Sequence, residues 1–138
     1  MSTPTMAAST PETIAEIGRT FYESLVARDW SALRRFVRDD ATWTLPGDNL
    51  ISGCIVGGDA VVEHLRTIAG FGVHFKLDHI VVSRQNVALL LHNTGRRGDV
   101  VLDEHVATVC RLEGGRIAAI ETYLSDVPGM NAFFVRAA

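Results

Sequence analysis

The last third of the chain, GRRGDVVLDEHVATVCRLEGGRIAAIETYLSDVPGMNAFF, most constrains the fold. Two long extended runs, 100–112 and 116–125, meet at Gly114-Gly115 and predict a hairpin. The second run leaves through Tyr123-Leu124-Ser125-Asp126, ahead of Pro128. Both runs carry apolar side chains on both faces, broken by a few acids and a histidine. Such a sheet has to be covered twice, by its own helices on one side and by something else on the other.

Composition limits what can do the covering. The chain has 138 residues, enough for one domain that buries roughly two-thirds of its surface on folding. With 47% hydrophobic and 21% charged residues it is globular in type, and no apolar run approaches the ~20 residues of a membrane helix. The start, MSTPTMAAST, lacks the basic region and apolar core of a secretion signal. A formal net charge of -3 without a basic stripe argues against nucleic acid as a partner. Arg34-Arg35 and Arg96-Arg97 are the basic clusters, and each reads as a solvated surface before it reads as a phosphate site. Cys54 and Cys110 lack metal-ligand spacing and read as reduced thiols in a cytoplasmic protein.

Residues 1–9, small and polar, read as a flexible leader. Thr10-Pro11 starts a helix, with a hydroxyl cap followed by proline where its missing N–H costs nothing. Ile14, Ile17, Phe21 and Leu25 then give it one apolar face. Asp29 caps a second, shorter helix with Trp30, Leu33, Phe36 and Val37. Ala41–Leu45 is a short strand closed by Pro46-Gly47. Glycines 53, 57 and 58 mark a loop, and Asp59 caps a third helix carrying Val61, Val62, Leu65 and Ile68 inward until Gly70 and Gly72 end it.

From residue 73 the period changes to two. Val73, Phe75, Leu77, His79 and Val81 share one face of the first strand, with His74, Lys76 and Asp78 on the other. Residues 87–92 are an apolar strand after the turn at Arg84-Gln85-Asn86, and a turn around Gly95–Gly98 leads to the final hairpin. Sequential strands with short links make an antiparallel meander. Helices first and meander after predict an α+β fold, three N-terminal helices packed on one sheet face.

Four runs, taken in this order, resemble the nuclear transport factor 2-like superfamily, and within it the SnoaL-like and ketosteroid-isomerase-like branch. They are ARDWSALRRFVRDDATW, SGCIVGGDAVVEHL, RLEGGRIAAIETY and the Tyr123…Asp126 ending, spanning residues 12 to about 134. The resemblance implies one domain over 10–138, a cone in which a strongly curved, mainly antiparallel sheet encloses a deep apolar pocket. It also implies a homodimer through the outer sheet face. The two-faced apolar pattern of 116–125 points to an interface independently.

Chemistry varies within such a family, so the site residues decide. Ketosteroid isomerases use a carboxylate base with a tyrosine and a protonated aspartate at the oxyanion. The resemblance puts those positions at Leu45, Phe21 and Thr108, which cannot do that work. The Asp–Arg–Asp set of limonene-epoxide hydrolases falls on Leu91, Asn93 and Thr122, and is absent too.

Strand parity supplies other candidates. The resemblance turns the Leu102, Glu104, Val106, Thr108, Cys110 face toward the pocket. A carboxylate in an apolar cone has its pKa raised by desolvation and can act as acid or base near neutrality. The plainer alternatives place Glu104 near the cone rim or pair it with an arginine such as Arg97. His79 shares the inward face of its strand and is either a proton carrier or a core residue with its hydrogen bonds met. Asp126 matches the acid/base aspartate that SnoaL-like polyketide cyclases carry into the pocket, or else shapes the turn before Pro128. Trp43, Leu45, Phe21, Leu65, Asn93, Thr108 and Thr122 are expected to line the pocket, and His64 to cap it. Asp103 and His105 share a face at a spacing that allows a metal, but no third ligand can be placed, so neither metal nor cofactor is expected. Tyr123 is expected on the outer face.

Three functions remain. One is cofactor-free acid/base chemistry, as isomerase, cyclase or hydrolase, on an apolar carbonyl- or epoxide-bearing metabolite. Glu104, His79 or Asp126 would move the proton, and Asn93 or Thr122 would hold the oxygen. The second is an apolar-ligand-binding domain without chemistry. The third is a closed dimerisation domain. Residues 131–138, with Phe133 and Phe134, either fold over the pocket mouth or pack on a neighbouring subunit.

Overall fold

Thr10 opens the first helix, α1 (Pro11–Ala27), as its spacing predicts: its hydroxyl oxygen accepts the Thr13 N–H at 3.1 Å. The computed structural model of the protein describes residues 10–135, so the leader expected over 1–9 and the last three residues lie outside the described residues. Helix α1 buries Ile14, Phe21 and Leu25, and Arg28 ends it in the left-handed region. Asp29 caps α2 (Trp30–Arg35) through a bond from the Ala32 N–H.

Strands β1 (Val37–Leu45) and β2 (Gly53–Val56) come next, then α3 (Gly58–Gly70). The second half supplies β3 (His74–Ser83), β4 (Asn86–Arg97), β5 (Val100–Glu113), β6 (Arg116–Leu124) and a final helix, α4 (Val127–Phe133). The six strands form one unclosed, curved sheet in the order β2-β1-β6-β5-β4-β3. Strand β1 runs parallel to β6, and every other pairing is antiparallel. The helices pack on one face, which is the α+β cone expected from the sequence. Among the described residues no helix is long and apolar enough to cross a membrane.

Several local readings change. The second helix stops before Phe36, and fully buried Val37 opens β1 four residues ahead of Ala41. The Ile117 N–H donates to the Phe36 carbonyl at 2.7 Å, a bond whose partner lies too far along the chain to be visible locally. The glycine loop at 53–56 is an edge strand on β1. Asp59 does not cap α3, because Gly57 holds the cap position. Asp59 instead accepts from Arg34 Nε at 2.7 Å, while Arg34 also bonds Asp39 at 2.7 Å and the Val37 carbonyl at 2.8 Å. One guanidinium thereby joins α2, β1 and α3. A Cβ on Gly58 would sit 2.7 Å from Arg34 Cζ, so this glycine leaves room for that guanidinium.

Two β-bulges reset side-chain parity. The β3–β4 register skips Asp78, so Phe75 and Leu77 face the core but so do Ile80 and Val82. His79 and Val81 turn outward, and Val81 is 51% exposed. The β5–β6 register skips Ala118, which leaves Ile117 and Ala118 both buried.

Helix α1 crosses β4 closely at Gly18, where a Cβ would lie 2.7 Å from Val87 Cγ2. Alanine in a free helix is worth about 0.5–1 kcal/mol over glycine. Here it meets a stiff β-branched side chain that is itself fully buried. Gly18→Ala is therefore expected to lower the urea midpoint; a raised midpoint would show that the crossing has slack.

Candidate functional site

Helices α1, α3 and α4 and the inner face of the sheet enclose a cavity of about 50 Å³. A water needs roughly 10–15 Å³ of such space, and drug-sized ligand pockets start near 300 Å³, so this is a small chamber. Phe21 from α1, Leu65 from α3, Trp43 and Leu45 from β1, Asn93 from β4, Thr108 from β5 and Thr122 from β6 all line it. Met130 and Phe134, from α4 and its C-cap, close it. The segment 131–135 thus folds over the cavity's end.

Polar groups on the wall are few. Trp43 Nε1–H donates to Thr122 Oγ1 at 2.8 Å in a buried bond between β1 and β6. The Thr122 hydroxyl accepts there, which leaves its own hydrogen as a donor. The Tyr22 hydroxyl donates to the Phe75 carbonyl at 2.8 Å and accepts from the Leu77 N–H at 3.3 Å. Tyr22 is a lining residue that the sequence reading missed. Its place beside Phe21 was the available signal, since a residue next to the inward stripe can reach the sheet flanking it.

Glu104 is the outlier. It stands on β5 between the lining residues Leu102 and Val106 without itself lining the cavity, is 1% exposed, and makes no ion pair among the described residues. Its Oε1 accepts the Asp126 N–H at 3.1 Å, while Oε2 is buried without a partner. Directly across the ladder is Asn93, whose Oδ1 is also buried and unpartnered. Neither oxygen has a hydrogen-bond partner among the described residues, and of the two residues it is Asn93 that lines the cavity. Burial raises the Glu104 pKa, opposed by the Asp126 N–H and assisted by the Asp126 carboxylate. The arginine considered as its partner is elsewhere: Arg97 Nη1 donates to the Phe133 and Val135 carbonyls at 2.6 and 2.8 Å. Its guanidinium lies 4.8 Å over the Phe71 ring.

The other candidates separate from the cavity. His79 is exposed on the outer face, contrary to the parity expectation, because the bulge at Asp78 turns it over. Asp126 is exposed, and its Oδ1 accepts from the Gly129 N–H at 3.0 Å as the N-cap of α4. Its backbone N–H bonds Glu104, and its carboxylate acts on that group through space. His64 does not line the cavity; its Nε2 is 2.8 Å from the Ile51 carbonyl, and its ring meets Trp43 edge-on at 5.3 Å. It braces the wall from behind. Tyr123 is 56% exposed on the outer face. Cys54 and Cys110 are both free, and burial pushes the Cys110 thiol up to about 12, which leaves it unreactive at neutral pH.

Residues 19–120 match the model of the SnoaL-like domain. The chain belongs to the SnoaL-like domain family. Among solved structures, this SnoaL-like chain is similar to Bal32a, from a soil-derived mobile gene cassette. That match has a TM-score of 0.85 at 25% identity, over 90% of this chain and 98% of that one. A nuclear transport factor 2-like protein from Burkholderia xenovorans LB400 matches with a TM-score of 0.80 at 16% identity, over 92% and 99%. A putative ketosteroid isomerase from Kribbella flavida DSM 17836 matches with a TM-score of 0.70 at 14% identity, over 84% and 80%. The last two share the fold and carry no further argument at that identity. Comparison with curated proteins gave no match.

Proposed function

We propose that this SnoaL-like domain takes up a small apolar metabolite bearing a carbonyl oxygen and moves one of its protons without a cofactor, with Glu104 as the acid or base. The buried, unpartnered Glu104 Oε2, on the residue paired across the β4–β5 ladder with the chamber-lining Asn93, whose Oδ1 is likewise unpartnered, carries this reading. Buried polar atoms are nearly always paired, and those left over in a native fold point to a missing donor. As a carboxylate, Glu104 removes a proton from carbon next to the carbonyl. Protonated, it returns that proton elsewhere. The Thr122 hydroxyl hydrogen and the Asn93 amide N–H are donors on the wall for the oxygen where charge develops. The inert side chains at Leu45, Thr108 and Phe21 speak against the ketosteroid isomerase arrangement, even though all three line the cavity.

A second reading, an apolar-ligand-binding domain without chemistry, is favoured by one observation. Tyr22 is the ionisable residue on the cavity wall, and its hydroxyl is already committed to β3. Glu104 turns its carboxyl under the first turn of α4, where a Cβ on Gly129 would lie 3.3 Å from Oε2. Both readings require α4 to give way for a ligand larger than the chamber.

Thermal shift with a panel of apolar ketones, lactones, epoxides and polycyclic aromatics, followed by deuterium exchange next to the carbonyl of each hit, separates them. The enzyme reading expects exchange that Glu104→Gln abolishes while binding survives. Binding without exchange selects the second reading. A panel with no shift defeats both.

A further inference from the structure

We propose that the outer face of the sheet carries a site for a divalent transition metal of the zinc class, with His92, Asp103 and His105 as its ligands. Alternation on β5 puts Asp103 and His105 on the face away from the core, two residues apart. Those two alone are no site. The third ligand comes from the neighbouring strand, since the β4–β5 ladder sets His92 directly opposite His105. The two imidazoles stack, with centroids 4.4 Å apart and planes 15° from parallel, and His92 Nε2 is 2.5 Å from Asp103 Oδ1. One ligand atom from each residue lies within 4.8 Å of the other two.

Two imidazoles and one carboxylate form a borderline N₂O set that suits zinc, nickel, cobalt or copper. Magnesium and calcium favour sets made of oxygen alone. A tetrahedral ion about 2.0–2.2 Å from each donor needs donors roughly 3.4 Å apart. His92 Nε2 and Asp103 Oδ1 stand closer than that, so binding an ion parts them by about 1 Å while His105 turns in from within 4.8 Å. The ladder fixes the backbones of β4 and β5, so little ordering remains to oppose binding. Three protein ligands leave a fourth position, and His105 also borders an outer groove with Asp78, His79 and Leu90. The three ligands lie on the opposite side of the sheet from the chamber.

Calorimetric titration of the untagged, metal-free chain with Zn²⁺ alone tests it. One ion per chain is expected, with affinity falling about tenfold or more in each of His92→Ala, Asp103→Asn and His105→Ala, and no response to Mg²⁺. Circular dichroism checks that each variant keeps its fold, and His92→Gln replaces His92→Ala if alanine disturbs the strand. Absence of binding, or an affinity that any one of the three substitutions leaves unchanged, overturns the three-ligand site.

Discussion

Phe134→Ala should cost about 3–5 kcal/mol of unfolding free energy and open the chamber to benzene-sized guests. Phe134 is 1% exposed and lines the cavity. Its ring meets those of Phe71 and Phe133 nearly edge-on, at 5.1 and 5.0 Å. Its carbonyl accepts the Leu50 N–H at 2.9 Å, and Arg97 holds the carbonyls of Phe133 and Val135 on either side. Because the backbone is tied at these points, removing the ring leaves a void that the C-terminal segment cannot readily fill. An apolar void of that kind stays dry and binds small aromatics. Urea unfolding with and without toluene reads both effects, as a lower midpoint and its partial recovery by ligand. A loss below about 1 kcal/mol would mean that the segment collapses inward. A full loss without recovery by toluene would mean that the chamber does not persist.

Glu104→Gln should make the protein more stable at neutral pH and remove a downward slope from its stability profile. The folded-state pKa of Glu104 is raised above 4.5, chiefly by desolvation. Between the unfolded and folded values the native state holds the extra proton, so stability falls as pH rises from about 4.5. The penalty is complete once the folded group ionises, and it is absent below the unfolded value. Asp39 and Asp40 have lowered values through Arg34 and Arg38, so their opposite contribution disappears as pH falls below about 3.8. Those two pairs are exposed and identical in the variant, so the difference between the two profiles isolates Glu104. Glutamine keeps an acceptor for the Asp126 N–H and replaces the unpartnered oxygen with an amide donor, across the ladder from Asn93. The gain at neutral pH is about 1–3 kcal/mol, the cost of a buried polar group left unpaired. Parallel wild-type and variant profiles across this range would show that Glu104 is already neutral or solvated.

Much of the fold was legible because caps and periods are local. Thr10 and Asp29 start their helices as read, and strict alternation on β5 puts Glu104 inside. The family resemblance, added to the helix stripes, is what picked out Phe21, Trp43, Leu45, Leu65, Asn93, Thr108 and Thr122, which line one cavity. What was missed depends on pairing. No residue at 78 signals a bulge, yet the skipped register there reverses His79. Val37 looked like the end of a helix because its strand partner, Ile117, belongs to the other end of the domain. His92 was not seen as a companion to Asp103 and His105 because only the β4–β5 register sets it there. Asp126 was read as an acid/base candidate or else a turn former, and it caps a helix that is a single short element without a periodic stripe.

The parallel β1–β6 ladder sets an order of events on the ribosome. Strand β1 emerges early, yet its partner on that edge comes only with residues 116–124. At roughly 5–20 residues per second, the intervening chain takes several seconds to appear. Through that interval Ala41, Trp43 and Leu45 have helices and the β2 edge for company but no sheet behind them, and the Trp43 indole N–H has no Thr122 to bond. Non-local pairing of this sort also slows folding after release. Nascent chains stalled before Arg116 should therefore be the species that chaperones hold.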